Sequence, residues 1–586
     1  MGIFDELNEQ QRSAVETTEG PIQIIAGPGS GKTKTLTARL AYLCESKSIP
    51  SDKILALTFS SKAAQEIKRR LGQKLTDASS LPAVYTFHAF GHRLLSEARQ
   101  SRPIIGEIDR RGLIAQLPRP KGLQRASSRE LNLLLSNAKT ALRHAIPAAT
   151  RSLLDSYEQA LQSRGVCDFD DLLVGAYRLL ETGQLKPAYR YVLVDEFQDT
   201  SELQYELLRL LTATDNICVI GDPKQSIYGF RGAHSGLFER FRQDYPKAQT
   251  ITLHCNYRSA RRIVTIANRI FPGTKQRSMQ NDMGVACGLQ TLNEYSEAAY
   301  IIREIQSGIG GSDMLSGSEA SAFPDPSSYA VLYRTHRAAR VLRQRFASSG
   351  IPYQVAGEQS PYEQPAIQAV LSILQAVVSS EMPPQALTAV PALRGVSRKK
   401  LQSFLMQLQQ DAKLQSVSSL IEHIADLYHL HDVISQTDLQ QLAGVAVQFG
   451  EGLAGVQAFL QHVEHIAEQD FYDPTLNVVS LLTIHSAKGL EFPVVFLCAA
   501  EEGILPKAYA KDIEEERRLF YVAITRAQHR LDICMCQWRG KQASTPSRFV
   551  AELPEDVLPR RIDSQMVALE KRLKRHQQKR AQASLF

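Results

Sequence analysis

IQIIAGPGSGKTKTLTARLAYL, residues 22–43, reads as an apolar strand that breaks into a glycine-rich turn and re-emerges as a helix. Ile22, Ile24 and Ile25 form the β-branched run, Gly27, Gly29 and Gly31 punctuate the turn, and Lys32 and Thr33 open the helical pattern. In such a turn the glycines let backbone N–H groups face a phosphate, and the helix N-terminus adds positive potential. Lys32 would then reach the β- and γ-phosphates and the Thr33 hydroxyl would hold Mg²⁺. The segment AGPGSGKT (26–33) has Ala26 where the stricter form of the pattern has Gly. A ligand-free glycine turn is the bland alternative, and the position between strand and helix weighs against it. ATP with Mg²⁺ is therefore the expected ligand, held by Ala26, Gly27, Pro28, Gly29, Ser30, Gly31, Lys32 and Thr33.

Working outward, the same alternation recurs. ILALTF precedes SKAAQEIKRRL, YVLVDE precedes SELQYELLRLL, and later SYAVLYR precedes RAARVLRQRF. Alternating strands and helices signal parallel sheets flanked by helices, so the fold class is α/β with two such lobes. Two stretches lack the alternation and carry Leu, Ala and Gln at helical spacing. The expected organisation is a first lobe of 1–90 and 166–256 with a helical insertion at 91–165. A second lobe of 257–380 and 477–553 follows, with a short helical insertion at 381–476 and a basic tail at 554–586. The run at 308–328 has the Gly/Ser/Pro content of a surface loop.

YVLVDEFQDT (191–200) sets two acids at the end of an apolar strand. Asp195 would join the Mg²⁺ shell and Glu196 would orient and polarise an attacking water. A helix-capping acid is the bland reading of either residue, and the phosphate loop upstream makes it the weaker one.

Bulk composition agrees with this picture without deciding it. The 586 residues exceed one hydrophobic core severalfold, and 68 Lys+Arg against 61 Asp+Glu give +7, which suits a polyanionic partner. Eight cysteines show no C-x-x-C pair, and Cys534 and Cys536 sit in an alternating apolar run, so reduced core thiols are expected. MGIFDELNEQQ has neither a basic nor an apolar leader region and no 18-residue apolar run occurs, so a cytoplasmic protein without a membrane partner is expected.

The ordered motif set resembles the UvrD/Rep/PcrA family of superfamily 1 DNA helicases over nearly the whole chain. LNEQQRSAV (7–15), VIGDPKQSIYGFRGA (219–233), HCNYRS (254–259), LLTIHSAKGLEFP (481–493) and EEERRLFYVAITRA (514–527) carry it, beside the two motifs above. The resemblance implies two RecA-like lobes and assigns Gln11 to the adenine, Gln225 to the γ-phosphate, Tyr257 to stacking on the base and Glu491 to the ribose. Arg258 and Arg526 become arginine fingers, and Lys34 stands in the nucleotide site where the family often has Arg. For Arg517, Arg518 and Arg526 the bland alternative is a solvated charged helix with a Glu514–Arg518 pair at i,i+4; it is accepted for Arg517, while Arg526 stays functional.

A DNA strand is the implied track, single-stranded or partly duplex. A basic groove with aromatic faces suits such a strand, each base stack contributing ~1–3 kcal/mol. Phe59, Phe87, His88, Tyr228, Phe230, Arg334 and His485 fall in the family's strand-contacting motifs; Phe230 replaces the usual Trp. Each aromatic alone is more often core. LRGVSRKKL (393–401) resembles a duplex-contacting loop, and both insertions look short for the family. The terminal QASLF resembles the peptide that docks on the bacterial sliding clamp, through Gln582, Leu585 and Phe586. The implied activity is an ATP-dependent helicase moving 3′-to-5′ in DNA repair or replication restart. The alternative is a clamp-tethered translocase that displaces proteins and unwinds weakly.

Overall fold

The computed structural model describes residues 3–75, 81–141, 146–186, 189–211, 214–229, 232–233, 236–310, 323–356, 365–379, 398–427, 436–465 and 472–563. Phe230, residues 393–397 of LRGVSRKKL and the tail residues Gln582, Leu585 and Phe586 lie outside the described residues. Of the expected loop at 308–328, the first residues end the helix Glu294–Gly310, Pro326–Ser328 form a short 3-10 turn, and 311–322 lie outside the description.

The first sheet has six parallel strands: β1 (Ile22–Ala26), β2 (Ile54–Thr58), β3 (Ala83–Thr86), β4 (Tyr191–Val194), β5 (Ile217–Gly221) and β6 (Gln249–Leu253). Their order is β3-β2-β4-β5-β1-β6. Strands β2, β4 and β5 are buried along their whole length, which explains why they read as continuous apolar runs and not as an alternating pattern. Pairing of Ile25 with Gly221 and of Val194 with Val219 brings the carboxyl ends of β1, β4 and β5 to one edge. In open parallel sheets that edge is where ligands bind.

Helices Glu107–Gln116, Ser128–Thr140 and Ala148–Ser163 interrupt the first lobe between β3 and β4. They pack around Leu131, Leu135, Leu153 and Tyr157. Buried Lys139 bridges Asp168 at 2.9 Å and Asp171 at 2.7 Å, and Tyr157 donates to Asp168, which ties these helices to Phe169–Glu181. A buried charge needs such partners because desolvation alone would neutralise it.

In the second lobe β7 (Val285–Asn293), β8 (Tyr329–Tyr333), β9 (Phe492–Leu497), β10 (Ala527–Arg539) and β11 (Arg560–Ile562) run parallel in the order β8-β9-β10-β7-β11. Cys534 and Cys536 lie in β10, and all eight cysteines are free. Residues 3–353, 477–479 and 483–563 form one compact unit that holds both lobes, and Gln354–Leu476 with Ser480–Leu482 form another. The latter contains helices Pro365–Ser379, Arg398–Leu414, Val417–Leu427, Gln436–Ala446 and Gly452–His465, packed on Leu374, Leu420, Ile424 and Phe459. Among the described residues no helix is long and apolar enough to cross a membrane.

Candidate nucleotide site and nucleic-acid interface

The loop after β1 folds as its residue types require. Gly29 and Gly31 take φ of +68° and +81°, and a Cβ on Gly29 would meet Arg258 Cβ at 2.6 Å, so a side chain there is excluded twice over. Helix Lys32–Ala41 starts at the loop's end. Lys32 Nζ donates to the Ala26 carbonyl at 3.3 Å, and Ser30 Oγ donates to the Gly27 carbonyl at 2.7 Å. Lys34 is drawn away to Glu6, with its ammonium 2.9 Å from the carboxylate and donating to the Glu6 carbonyl at 2.7 Å. Lys34, expected at the nucleotide, is thus ion-paired with Glu6 beside the loop.

Asn8 and Gln11 form a capping box on helix Glu9–Glu16. Gln11 Nε2 donates to the Ser30 carbonyl at 2.9 Å and its Oε1 accepts from Asn8 N–H at 3.1 Å, so the Gln11 amide braces the phosphate loop. Asn8 Nδ2 donates to the Tyr257 hydroxyl at 2.7 Å, and Tyr257 N–H donates to the Gly29 carbonyl at 2.8 Å. With 41% of its surface exposed, Tyr257 sits beside the loop with area left for a base.

Asp195 is 4% exposed, and burial first, then Glu196, push its carboxyl up to about 7 against the pull of Lys32. Glu196 adopts φ of +50°, an uncommon conformation for a side-chain-bearing residue. Burial would raise it as well, but Lys32, Lys488, a hydrogen bond from Gln198 and Arg526 together hold it below the usual carboxylate value. Two adjacent acids thus have opposite environments, the pattern that separates a cation ligand from an ionised base. The donor set of Asp195 and the half-buried Thr33 hydroxyl is of the hard-oxygen kind that suits Mg²⁺, and a cation would offset the disfavoured Asp195 charge.

The second lobe faces this edge with two guanidiniums. Arg258 is ion-paired with Glu491, which also accepts from Gln528 Nε2 at 3.2 Å. Arg526 is 1% exposed and donates to the Val522 carbonyl at 2.9 Å, the Leu490 carbonyl at 3.1 Å and Gln225 Oε1 at 3.3 Å. Burial and then the nearby Arg258 disfavour its charge, while Glu491 and Glu196 favour it. An anion between the two arginines would relieve that repulsion. Gln225 Nε2 donates to Asp222 at 2.8 Å, Asp222 N–H donates to Gln198 Oε1 at 2.9 Å, and Gln198 donates to Glu196. A continuous hydrogen-bond chain therefore joins Glu196 to Arg526.

Several members of this network carried no individual sequence signal. Lys488 reaches across from the second lobe, 2.6 Å from both Asp199 oxygens, donates to the Gln225 carbonyl at 2.8 Å, and lies 4.7 Å over the Tyr228 ring. Burial raises Asp199 to about 6, with Lys488 opposing. Arg518 does not pair with Glu514. It pairs with Asp512 at 3.1 Å and donates to the Ser226 carbonyl at 2.7 Å, because that first-lobe carbonyl is within reach. Arg517 takes Glu514 at 3.3 Å, together with Glu552.

The strand-contact candidates divide. Phe59 stacks on Tyr228 with centroids 5.4 Å apart and planes 9° apart, and His485 lies 6.5 Å from Tyr228. Tyr228 is buried, its ring between Phe59 and Lys488, so it supports the Phe59 surface and is not itself an open platform. Phe87 is 4% exposed and belongs to the core with Phe90, Leu173 and Val194; the expectation that it stacks on a base is corrected, since the helix Phe87–Glu97 buries that face. His88 is edge-on to Phe169, and burial lowers its pKa. Arg334 is ion-paired with Glu516. Glu516 accepts from its Nε and Nη2, the latter at 2.7 Å, which holds the guanidinium in place.

A parallel sheet with a phosphate loop, faced by the buried Arg526 and the half-buried Arg258 of a second α/β lobe, defines a two-lobed P-loop protein of RecA-like architecture. Residues 7–246 match the UvrD/REP helicase N-terminal domain, and residues 251–382 and 392–538 match the UvrD-like helicase C-terminal domain. The chain is 31% identical over 651 residues to the ATP-dependent DNA helicase PcrA of Staphylococcus epidermidis (strain ATCC 12228), covering 95% of this chain and 87% of that protein. The PcrA of Staphylococcus aureus (strain NCTC 8325) is 30% identical over 652 residues with the same coverage. The chain belongs to the UvrD/Rep/PcrA-like helicase family.

Proposed function

We propose that this protein is an ATP-dependent DNA helicase that translocates 3′-to-5′ on a single strand and serves DNA repair or replication restart. The observation that carries the reading is the chain from Glu196 through Gln198, Asp222 and Gln225 to Arg526, which links the acid of one lobe to the arginine of the other. Lys32 binds the β- and γ-phosphates, and Glu196, held ionised, orients the attacking water. Arg258 and Arg526 neutralise charge developing on the phosphoryl group, which requires closed lobes. Glu491, released from Arg258, is free for the ribose, and Tyr257 stacks on the adenine. Thr33 and Asp195 would hold Mg²⁺, which when bound supplies charge neutralisation of the phosphates.

Lys488 couples nucleotide state to the track because it touches both Asp199 and the Tyr228 beneath Phe59. Phe59 and His485 then contact the bases without reading sequence, which a motor needs. The QASLF tail adds a tether to the sliding clamp. The deciding experiment measures ATP hydrolysis with and without single-stranded DNA, alongside unwinding of duplexes with a 3′ or a 5′ overhang. Stimulation with unwinding from the 3′ overhang alone is expected, and absence of stimulation would overturn the reading.

A further inference from the structure

We propose that Gln276, with Thr274 beside it, is a positioning residue for nucleotide hydrolysis that holds the phosphate loop in register with the arginines of the second lobe, an assignment that rests on the hydrolysis reading above. Both residues lie outside the sequence motifs that carried the family resemblance. The chain leaves helix Arg261–Ile270 and turns through Phe271 to Gln276. In that turn Thr274 Oγ1 donates to the Phe271 carbonyl at 2.7 Å, and Phe271 stands edge-on to Tyr521 of helix Ile513–Ile524 at 5.4 Å, which anchors the turn to its own lobe. Arg277 and Ser278 then pair in parallel with Cys255 and Asn256, and Asn268 Nδ2 donates to the Gln276 carbonyl at 2.9 Å. Strand pairing and Asn268 together fix the backbone from which the Gln276 side chain springs.

That side chain is 8% exposed and lies against the phosphate loop. Its Nε2 donates to the Pro28 carbonyl at 3.5 Å, a long hydrogen bond of the kind that tightens when a site closes on its ligand. The same carbonyl accepts from Asn256 Nδ2 at 2.9 Å, and Asn256 Oδ1 accepts from Arg258 N–H at 2.9 Å, so one loop carbonyl is tied to the backbone of Arg258. A Cβ on Gly27 would stand 2.0 Å from Gln276 Nε2. Gly29 and Gly31 take positive φ but Gly27 does not, so the bare Cα of Gly27 answers to this close approach and not to backbone conformation. Thr274 makes a second contact across the cleft by accepting from Lys224 Nζ, and Lys224 is the neighbour of Gln225, the residue assigned to the γ-phosphate. Gln276 Oε1 has no partner among the described residues. A buried oxygen without a donor destabilises the resting protein, and an apolar side chain would pack there at lower cost. The amide is therefore explained by what its N–H does at the loop. Parting of the lobes breaks the Pro28 and Lys224 contacts together, and closure returns both phosphate-facing elements to Arg258 and Arg526.

The test measures steady-state ATP hydrolysis by the full chain at saturating oligothymidylate, comparing wild type with Gln276→Met, which keeps the bulk and loses the donor, and Gln276→Lys, which restores a donor. In Gln276→Met kcat should fall at least about tenfold while KM for ATP stays within about twofold, the signature of lost positioning in the transition state. Its melting temperature should not fall, because the unpartnered oxygen is gone. Gln276→Lys should recover kcat to within about threefold of wild type. Thr274→Val, which keeps the shape and removes the acceptor for Lys224, should lower kcat about threefold and decides the matter if Gln276→Met does not fold. Wild-type kcat in Gln276→Met, or in Thr274→Val should the former not fold, would overturn the positioning role alone. Loss of kcat and of melting temperature together in Gln276→Met, with no recovery in Gln276→Lys, would make Gln276 a packing residue and overturn it equally. A wild-type chain that does not hydrolyse ATP would overturn the hydrolysis reading and this assignment with it.

Discussion

Replacing Asp195 by Asn should stabilise the nucleotide-free protein increasingly as pH rises, while abolishing ATP hydrolysis. Asp195 is 4% exposed and its carboxyl is pushed from 3.8 up to about 7 by burial and Glu196. Below 3.8 both the folded and unfolded chains hold the proton and the carboxyl costs nothing. As pH rises the unfolded chain releases the proton first, so the cost grows until the folded group ionises near 7. Integrating between those two values gives about 2 kcal/mol at pH 5 and about 4 kcal/mol at pH 8. Asn has the same shape, stays neutral, and keeps an oxygen for Glu196 N–H, which donates to Asp195 Oδ1 at 3.0 Å. Urea melts of the full chain at pH 5, 6.5 and 8 without nucleotide measure the difference, and hydrolysis at saturating ATP measures activity. A variant no more stable at pH 8 than at pH 5, relative to wild type, would refute the placement of a strained carboxylate there. Retained hydrolysis would remove Asp195 from the site.

Lys32→Ala should abolish hydrolysis while oligonucleotide binding survives; DNA-stimulated hydrolysis in this variant would sink the phosphate-loop assignment. Phe87→Ala should cost about 3–5 kcal/mol of stability, as for a core aromatic, and change strand affinity less than twofold in a direct titration. Lys488→Met leaves Asp199 buried without its cation, so stability should fall by up to about 3–5 kcal/mol and strand-stimulated hydrolysis at least tenfold. Stimulation at the wild-type level would show that the Lys488 bridge does not couple the lobes.

What the sequence determined is what short-range chemistry dictates. Residues 22–43 announce strand, turn and helix because apolar periodicity, glycine conformational freedom and a helix start are properties of neighbouring residues. The acids Asp195 and Glu196 were legible for the same reason, as polar residues ending an apolar strand. Lobe architecture followed from the repeated alternation of strands and helices.

Only the tertiary structure decided the partners. Arg526 meets Gln225 from 301 positions away, and Lys488 meets Asp199 from 289, separations at which spacing carries no information. Phe87 and Tyr228 occupy motif positions that suggest stacking, yet packing against Leu173 or beneath Phe59 fixes what their rings can touch. Arg518 pairs with Asp512 and a carbonyl of the other lobe, where helical spacing alone offered Glu514 at i,i+4. Element type is set by residues within a turn or a strand, whereas the partner of a long charged side chain is set by whichever groups the fold brings within about 3 Å of it.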